Sequence, residues 1–254
     1  LRFITLYMLE SMSMIMSDRL LLVSALVAKY YPIIRLRESV SIPRYIINDY
    51  ATDDEKIPNQ TLDQFRIFSQ LARAKNKRII VYCGSANKWQ MPRETIQLMS
   101  EFIKNSQFCG AIFTGDSDLF KRYINKYSPN SSNWFVGSLR SRYIMGALEI
   151  CDIGVLLRED IILNRVASPT KLYEYAVSGL FIITTDGISA AERIVKDQKY
   201  GELVHLDSMP IISKKTIASI YDQIQIPMDC VAVSEAKLRY SFTARKKIFM
   251  SLYR

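Results

Sequence analysis

The chain has one histidine, His205, and its four cysteines, Cys83, Cys109, Cys151 and Cys230, form no Cys-x-x-Cys pair. A single imidazole leaves little room for a zinc site or a Ser-His-Asp triad, and His205 reads as structural. Three of the cysteines sit in or beside apolar, strand-like runs. That pattern reads as buried free thiols in a reducing compartment rather than as disulfides. Leu20 to Ala28, the longest uncharged run of the apolar N-terminal region, falls far short of the roughly 20 residues of a membrane span. Glu10 breaks the early apolar segment, which argues against a signal peptide. The basic clusters Arg73-Lys75-Lys77-Arg78 and Arg245-Lys246-Lys247 are small, and no long basic run supports nucleic-acid binding. There is no Gly-x-x-x-x-Gly-Lys phosphate loop, internal repeat or low-complexity tract.

What is present is a chain of 254 residues, 49% hydrophobic, with a formal charge of +9. This composition supports a real core and anionic partners: phosphorylated substrates, lipid headgroups or nucleic acid. From Arg78 the pattern alternates. Strands are expected at Ile79–Cys83, Ala111–Thr114, Trp134–Val136, Ile153–Leu157, Phe181–Thr184 and Glu202–Val204. Helices are expected near Pro92–Asn105, Asp118–Tyr127, Arg142–Cys151, Pro169–Ser178 and Ala190–Lys196, with a further one over Ser213–Ile224. Strand alternating with helix predicts an α/β fold, a Rossmann-like doubly wound parallel sheet whose ligands bind beyond the carboxyl ends of the strands. That places Gly84-Ser85, Gly115-Asp116, Gly137-Ser138, Arg158-Glu159 and Ser168–Lys171 on one rim.

The most informative stretch runs from Ser168 to Gly179, Ser-Pro-Thr-Lys-Leu-Tyr-Glu-Tyr-Ala-Val-Ser-Gly. Ser168 is expected as the N-cap and Pro169 as the first helical residue. The N–H groups of Thr170, Lys171 and Leu172 would then point outward unpaired. With the helix dipole and the Lys171 ammonium they form a site for a phosphate or diphosphate. Glu174 shares the helix face of Thr170 and Lys171 and can accept from two neighbouring hydroxyls, such as those of a ribose. The same spacing also fits an ordinary capped helix packed on a sheet.

Ser-Pro-Thr-Lys-Leu-x-Glu-Tyr-x-x-x-Gly followed by a strand resembles the donor-binding helix of GT-B glycosyltransferases, specifically the retaining enzymes of family 4. The resemblance implies a nucleotide diphosphate-sugar donor, with the helix start on the diphosphate and Glu174 on the ribose. It implies a carbohydrate or lipid-linked acceptor, and a role in polysaccharide or glycolipid biosynthesis. No metal and no cofactor are implied, the nucleotide-sugar being a substrate. Gly84, Ser85 and Lys88 resemble the family's first donor-domain loop, Gly-x-x…Lys, while Gly137 falls where the family seats the nucleobase. A tight turn explains either glycine equally well. Arg158 is expected to contact substrate, and Lys88 and Arg165 are candidates to stabilise the leaving group; a solvated polar loop accounts for the arginines as well. One position departs from the family: the first of two glutamates spaced with seven residues between them is Val166 here. The substitutes available in the longer loop are Glu159 and Asp160, and no catalytic residue is assigned.

By the same resemblance, residues 1–43 read as the remnant of an N-terminal, acceptor-side domain. Residues 44–77 read as a linker with a lead-in helix, 78–234 as the donor-binding domain, and 235–254 as a C-terminal crossover helix. Basic charge and the missing export signal lead to an expected cytoplasmic location, with peripheral contact to the inner face of an anionic membrane. Two alternatives stay open: a nucleotide-sugar epimerase of similar fold, and a noncatalytic nucleotide-binding or basic interaction module.

Overall fold

In a computed structural model the described residues are 59–128, 130–186, 188–198, 201–205 and 214–225, with short pieces at 8, 12–13, 15–16, 20–22, 39–41 and 233–234. Most of the N-terminal remnant 1–43, residues 44–58 of the linker, Cys230 and the C-terminal helix lie outside them. Two short strands, β1 (Leu20–Leu22) and β2 (Ser39–Ser41), pair in parallel.

The main sheet has six strands, β3 (Arg78–Cys83), β4 (Phe108–Phe113), β5 (Trp134–Gly137), β6 (Ile153–Leu156), β7 (Phe181–Thr185) and β8 (Gly201–Val204). All are parallel, in the order β5-β4-β3-β6-β7-β8. The helices are α1 (Gln60–Ala74), α2 (Pro92–Lys104), α3 (Ser117–Tyr127), α4 (Ser141–Leu148), α5 (Ile162–Arg165), α6 (Thr170–Val177), α7 (Ser189–Gln198) and α8 (Lys214–Gln225). The expected α/β doubly wound architecture is the one observed.

Both faces of the sheet are covered, which is why its strands read as nearly continuous apolar runs. In β3, Ile79, Val81 and Cys83 face one core with residues of α1, α4, α6 and α7. Ile80 and Tyr82 face the other, with residues of α2, α3 and α8. That alternation is the two-residue period of a strand.

Boundaries moved by a few residues. Expected to start at Ala111, β4 starts at Phe108 and runs through Gly110, where the Trp134 ring takes the place of a side chain; a Cβ there would stand 2.5 Å from Trp134 Cε3. The short α5 was not expected. The end of the sheet away from the rim is tied by Asp152, whose carboxylate accepts from the Ile79 N–H (2.6 Å) and pairs with Arg78 (3.1 Å) and Arg73 (2.8 Å). Asp152 is thus a structural turn residue.

Candidate functional site

The strand order reverses direction between β3 and β6, and doubly wound sheets bind ligands at that switch point. Pairing between these two strands is recorded only at Ile80 with Ile153 and Val81 with Gly154, whereas β3 pairs with β4 along its whole length. Beyond Gly154 a side chain intervenes. In a parallel ladder of that register the Cys83 N–H would reach the Val155 carbonyl. Instead it donates to the Tyr175 hydroxyl at 3.0 Å, which in turn faces the Val155 oxygen at 3.4 Å. The Tyr175 ring fits over Gly154, where a Cβ would come within 2.6 Å of Tyr175 Cδ2. Helix α6 thereby drives a wedge between the carboxyl ends of β3 and β6.

That wedge brings α6 to the β3 exit. The charges of Lys171 and Glu174 both bear on the buried Cys83 thiol, though burial is the main cause of its pKa rising to about 12. Gly84 follows, and it is glycine for a packing reason. A Cβ would stand 2.5 Å from the Tyr82 hydroxyl and 2.7 Å from Gln90 Oε1. The Ser85 hydroxyl accepts from Asn87 Nδ2 and Gln90 Nε2, each at 2.8 Å. With both lone pairs occupied, its own O–H remains as a donor toward the rim. Lys88 opens a single 3-10 turn and is exposed.

Helix α6 starts one residue later than expected. Pro169, not Ser168, is its N-cap, and no side chain caps it. Ser168 is buried and its hydroxyl shares a 2.7 Å hydrogen bond with the Tyr173 hydroxyl, which overrides the capping role its position suggested. A second correction concerns Leu172, whose N–H is not free: it donates to the Pro169 carbonyl at 3.1 Å. Thr170 and Lys171 are left as the N–H groups presented by the helix start. Lys171 Nζ lies 2.8 Å from Glu174 Oε2, in a pair that is largely withdrawn from solvent on the glutamate side.

The β6 exit loop is laced to the β3 exit loop. Glu159 N–H donates to the Trp89 carbonyl at 3.1 Å, and the buried Asn164 amide donates to the Trp89 and Glu159 carbonyls at 3.2 and 2.8 Å. Arg165 makes a two-pronged pair with exposed Asp160, at 2.5 and 2.6 Å, and hydrogen bonding from this guanidinium holds the Asp160 carboxyl below its ordinary pKa. Arg158 is half-buried, and burial lowers its pKa from the ordinary arginine value.

Gly137 sits at the end of β5, where a Cβ would meet the Thr61 methyl at 2.7 Å; its carbonyl accepts from the Thr114 N–H at 2.9 Å. Close packing under α1 therefore accounts for the glycine. Gly84, Ser85, Arg158, Thr170, Lys171 and Glu174 converge at the switch point, while Gly137 belongs to the edge strand. Sequence reasoning missed Tyr175, because an aromatic in a helix reads as core.

No protein-family model matches the chain, and no curated protein matches it in sequence. Solved structures do match in fold. A sucrose-phosphate synthase from Thermosynechococcus elongatus superposes with a TM-score of 0.68 at 13% identity, over 97% of this chain and 60% of that one. A glycosyltransferase from Rickettsia africae gives 0.65 at 15% identity, over 93% of this chain and 62% of that one. Anabaena HepE in complex with UDP and glucose gives 0.61 at 13% identity, over 93% and 63%. These neighbours are GT-B glycosyltransferases, and the Rossmann-like sheet of this chain has their fold. The chain spans about three fifths of the length of each. Among the described residues no helix is long and apolar enough to cross a membrane.

Proposed function

We propose that this chain binds a nucleotide diphosphate-sugar at the β3–β6 switch point and belongs to an enzyme that transfers the glycosyl group to an acceptor. The observation that carries the reading is the Tyr175–Cys83 hydrogen bond, which ties α6, the helix with the uncapped start, to the strand end that leads into the Gly84-Ser85 turn. Helix N–H groups and the Ser85 hydroxyl supply donors for a diphosphate, and Glu174 retains Oε1 for a ribose hydroxyl while Oε2 holds Lys171. In the transfer, the anomeric C–O bond to the diphosphate breaks with its electron pair left on the phosphate oxygen. The acceptor hydroxyl oxygen bonds to that carbon and gives up its proton to the departing diphosphate.

Retention of configuration and a family 4 relationship are part of this proposal and rest on the Ser168–Gly179 motif. So do a carbohydrate or lipid-linked acceptor and a place in polysaccharide or glycolipid synthesis. Likewise proposed are a cytoplasmic location and contact with an anionic membrane face, argued from the +9 charge. The UDP and glucose held by HepE are consistent with the donor class. A thermal-shift panel of UDP, GDP, ADP and their sugars tests the reading. A ligand at 100 times its dissociation constant stabilises by about 2.7 kcal/mol, so a specific donor stands out. No shift with any of them would remove the proposal.

A further inference from the structure

Resting on the donor-site reading, we infer that Arg158, held in place by Thr185, is the side-chain cation that meets the donor's diphosphate. The pieces are local. Arg158 lies just past the end of β6, at the switch point. Its N–H donates to the Thr185 hydroxyl at 3.0 Å, and its carbonyl accepts from that same hydroxyl at 3.0 Å. Thr185 is fully buried at the end of β7, so one rigid side chain fixes the Arg158 peptide on both sides.

The guanidinium itself is incompletely satisfied. Its Nε is buried and has no hydrogen-bond partner, and no carboxylate pairs with it among the described residues. The groups whose fields reach it are the buried phenols of Tyr82 and Tyr175, both kept neutral by burial. A partly desolvated cation without a counter-charge is costly in a folded protein, and an incoming anion removes that cost.

Three other cations of the β3 and β6 exits and the α6 start are differently placed. Lys171 has Glu174 at 2.8 Å, and Arg165 is bonded to Asp160. Lys88 is exposed, where water screens its charge. Of these four, Arg158 combines partial burial with an uncancelled charge. Its planar fork suits phosphate oxygens, and a charge in a water-poor site acts more strongly on a departing diphosphate than one at the surface. Arg158 is therefore the group that touches the diphosphate, and Thr185 is a positioning residue.

The test is calorimetric titration of the full chain with UDP, GDP and ADP and with uridine, guanosine and adenosine. The quantity read is the ratio of nucleoside to diphosphate dissociation constants. Arg158→Met is expected to lower that ratio about ten- to a hundred-fold, the loss of a charge-assisted contact. Arg158→Lys, which keeps the charge without the fork, should lose less, and it serves if the methionine variant does not fold. The double variant Lys171→Met/Glu174→Gln leaves the net charge unchanged. It should weaken nucleoside and diphosphate together, moving the ratio by less than about three-fold. Thr185→Val should reproduce part of the Arg158→Met loss, and Thr185→Ser should restore the parent ratio. A parent-like ratio in Arg158→Met, or an equal loss in the double variant, overturns the assignment. If the parent binds none of the three diphosphates, the donor-site reading fails first and takes this inference with it.

Discussion

Tyr175 is the side chain on which the shape of the site depends, and removing its hydroxyl isolates that dependence. In Tyr175→Phe the ring still covers Gly154, but the Cys83 N–H loses its acceptor at 3.0 Å in a fully buried place. A buried donor left without a partner costs about 1–3 kcal/mol. For a chain of 254 residues that corresponds to a fall in melting temperature of about 2–12 °C. The converse perturbation is Gly154→Ala, whose Cβ would press on the Tyr175 ring at 2.6 and 2.7 Å. Overpacking of that kind costs about 1–3 kcal/mol. Combining it with Tyr175→Leu should relieve the clash, giving a loss smaller than the sum of the two single variants. Calorimetric melts measure the stabilities, and hydrogen exchange at the Cys83 amide reports the local bond. A Tyr175→Phe protein melting within about half a degree of the parent, with unchanged Cys83 exchange, would refute the wedge.

Two further outcomes follow from the scaffold. Burial raises the Cys83 and Cys109 thiols from 9.0 to about 12, and raises Cys151 as well. The unfolded chain releases these protons first, so stability is intact below pH 9.0 and is lost as pH climbs toward about 12. Melts from pH 8 upward should show that decline, and Cys83→Ala combined with Cys109→Ala should flatten it; equal slopes would contradict the assignment. At the far end of the sheet, Asp152→Ala leaves the Ile79 N–H without its 2.6 Å acceptor and removes the counter-charge of two arginines. A loss of about 2–4 kcal/mol in urea unfolding is expected, with nucleotide affinity retained in the folded fraction.

The architecture was legible because both periodicities were clean: β3 alternates between two cores, and α1 buries Leu62, Phe65, Ser69 and Ala72 on one helical face. The Ser168–Gly179 helix was found to within a residue of its ends. Its details were not legible, because they depend on partners distant in sequence or on competing polar groups. Ser168 had two uses open to it, a cap or a bond to a phenol, and only the packed position of Tyr173 decides between them. Tyr175 reaches a strand backbone 92 residues earlier in the chain, a relation that helical spacing does not encode. The inserted turn Ile162–Arg165 was hidden by its brevity, and it is fixed by the buried Asn164 amide rather than by its apolar residues, which are exposed.

The central claim is that the α6 face carrying Glu174 holds the ribose of a nucleotide. Titration of UDP, GDP, ADP and their nucleosides into the parent, Glu174→Ala and Glu174→Gln proteins measures it directly. At least one nucleotide should bind the parent. Glu174→Ala should weaken that nucleotide and its nucleoside alike by about ten- to a hundred-fold, since a hydrogen bond to a charged group is worth about 1.5–3 kcal/mol. Glu174→Gln should lose less, because an amide oxygen still accepts one bond. Parent-like binding of every nucleotide by Glu174→Ala would make α6 an ordinary packed helix and contradict the account.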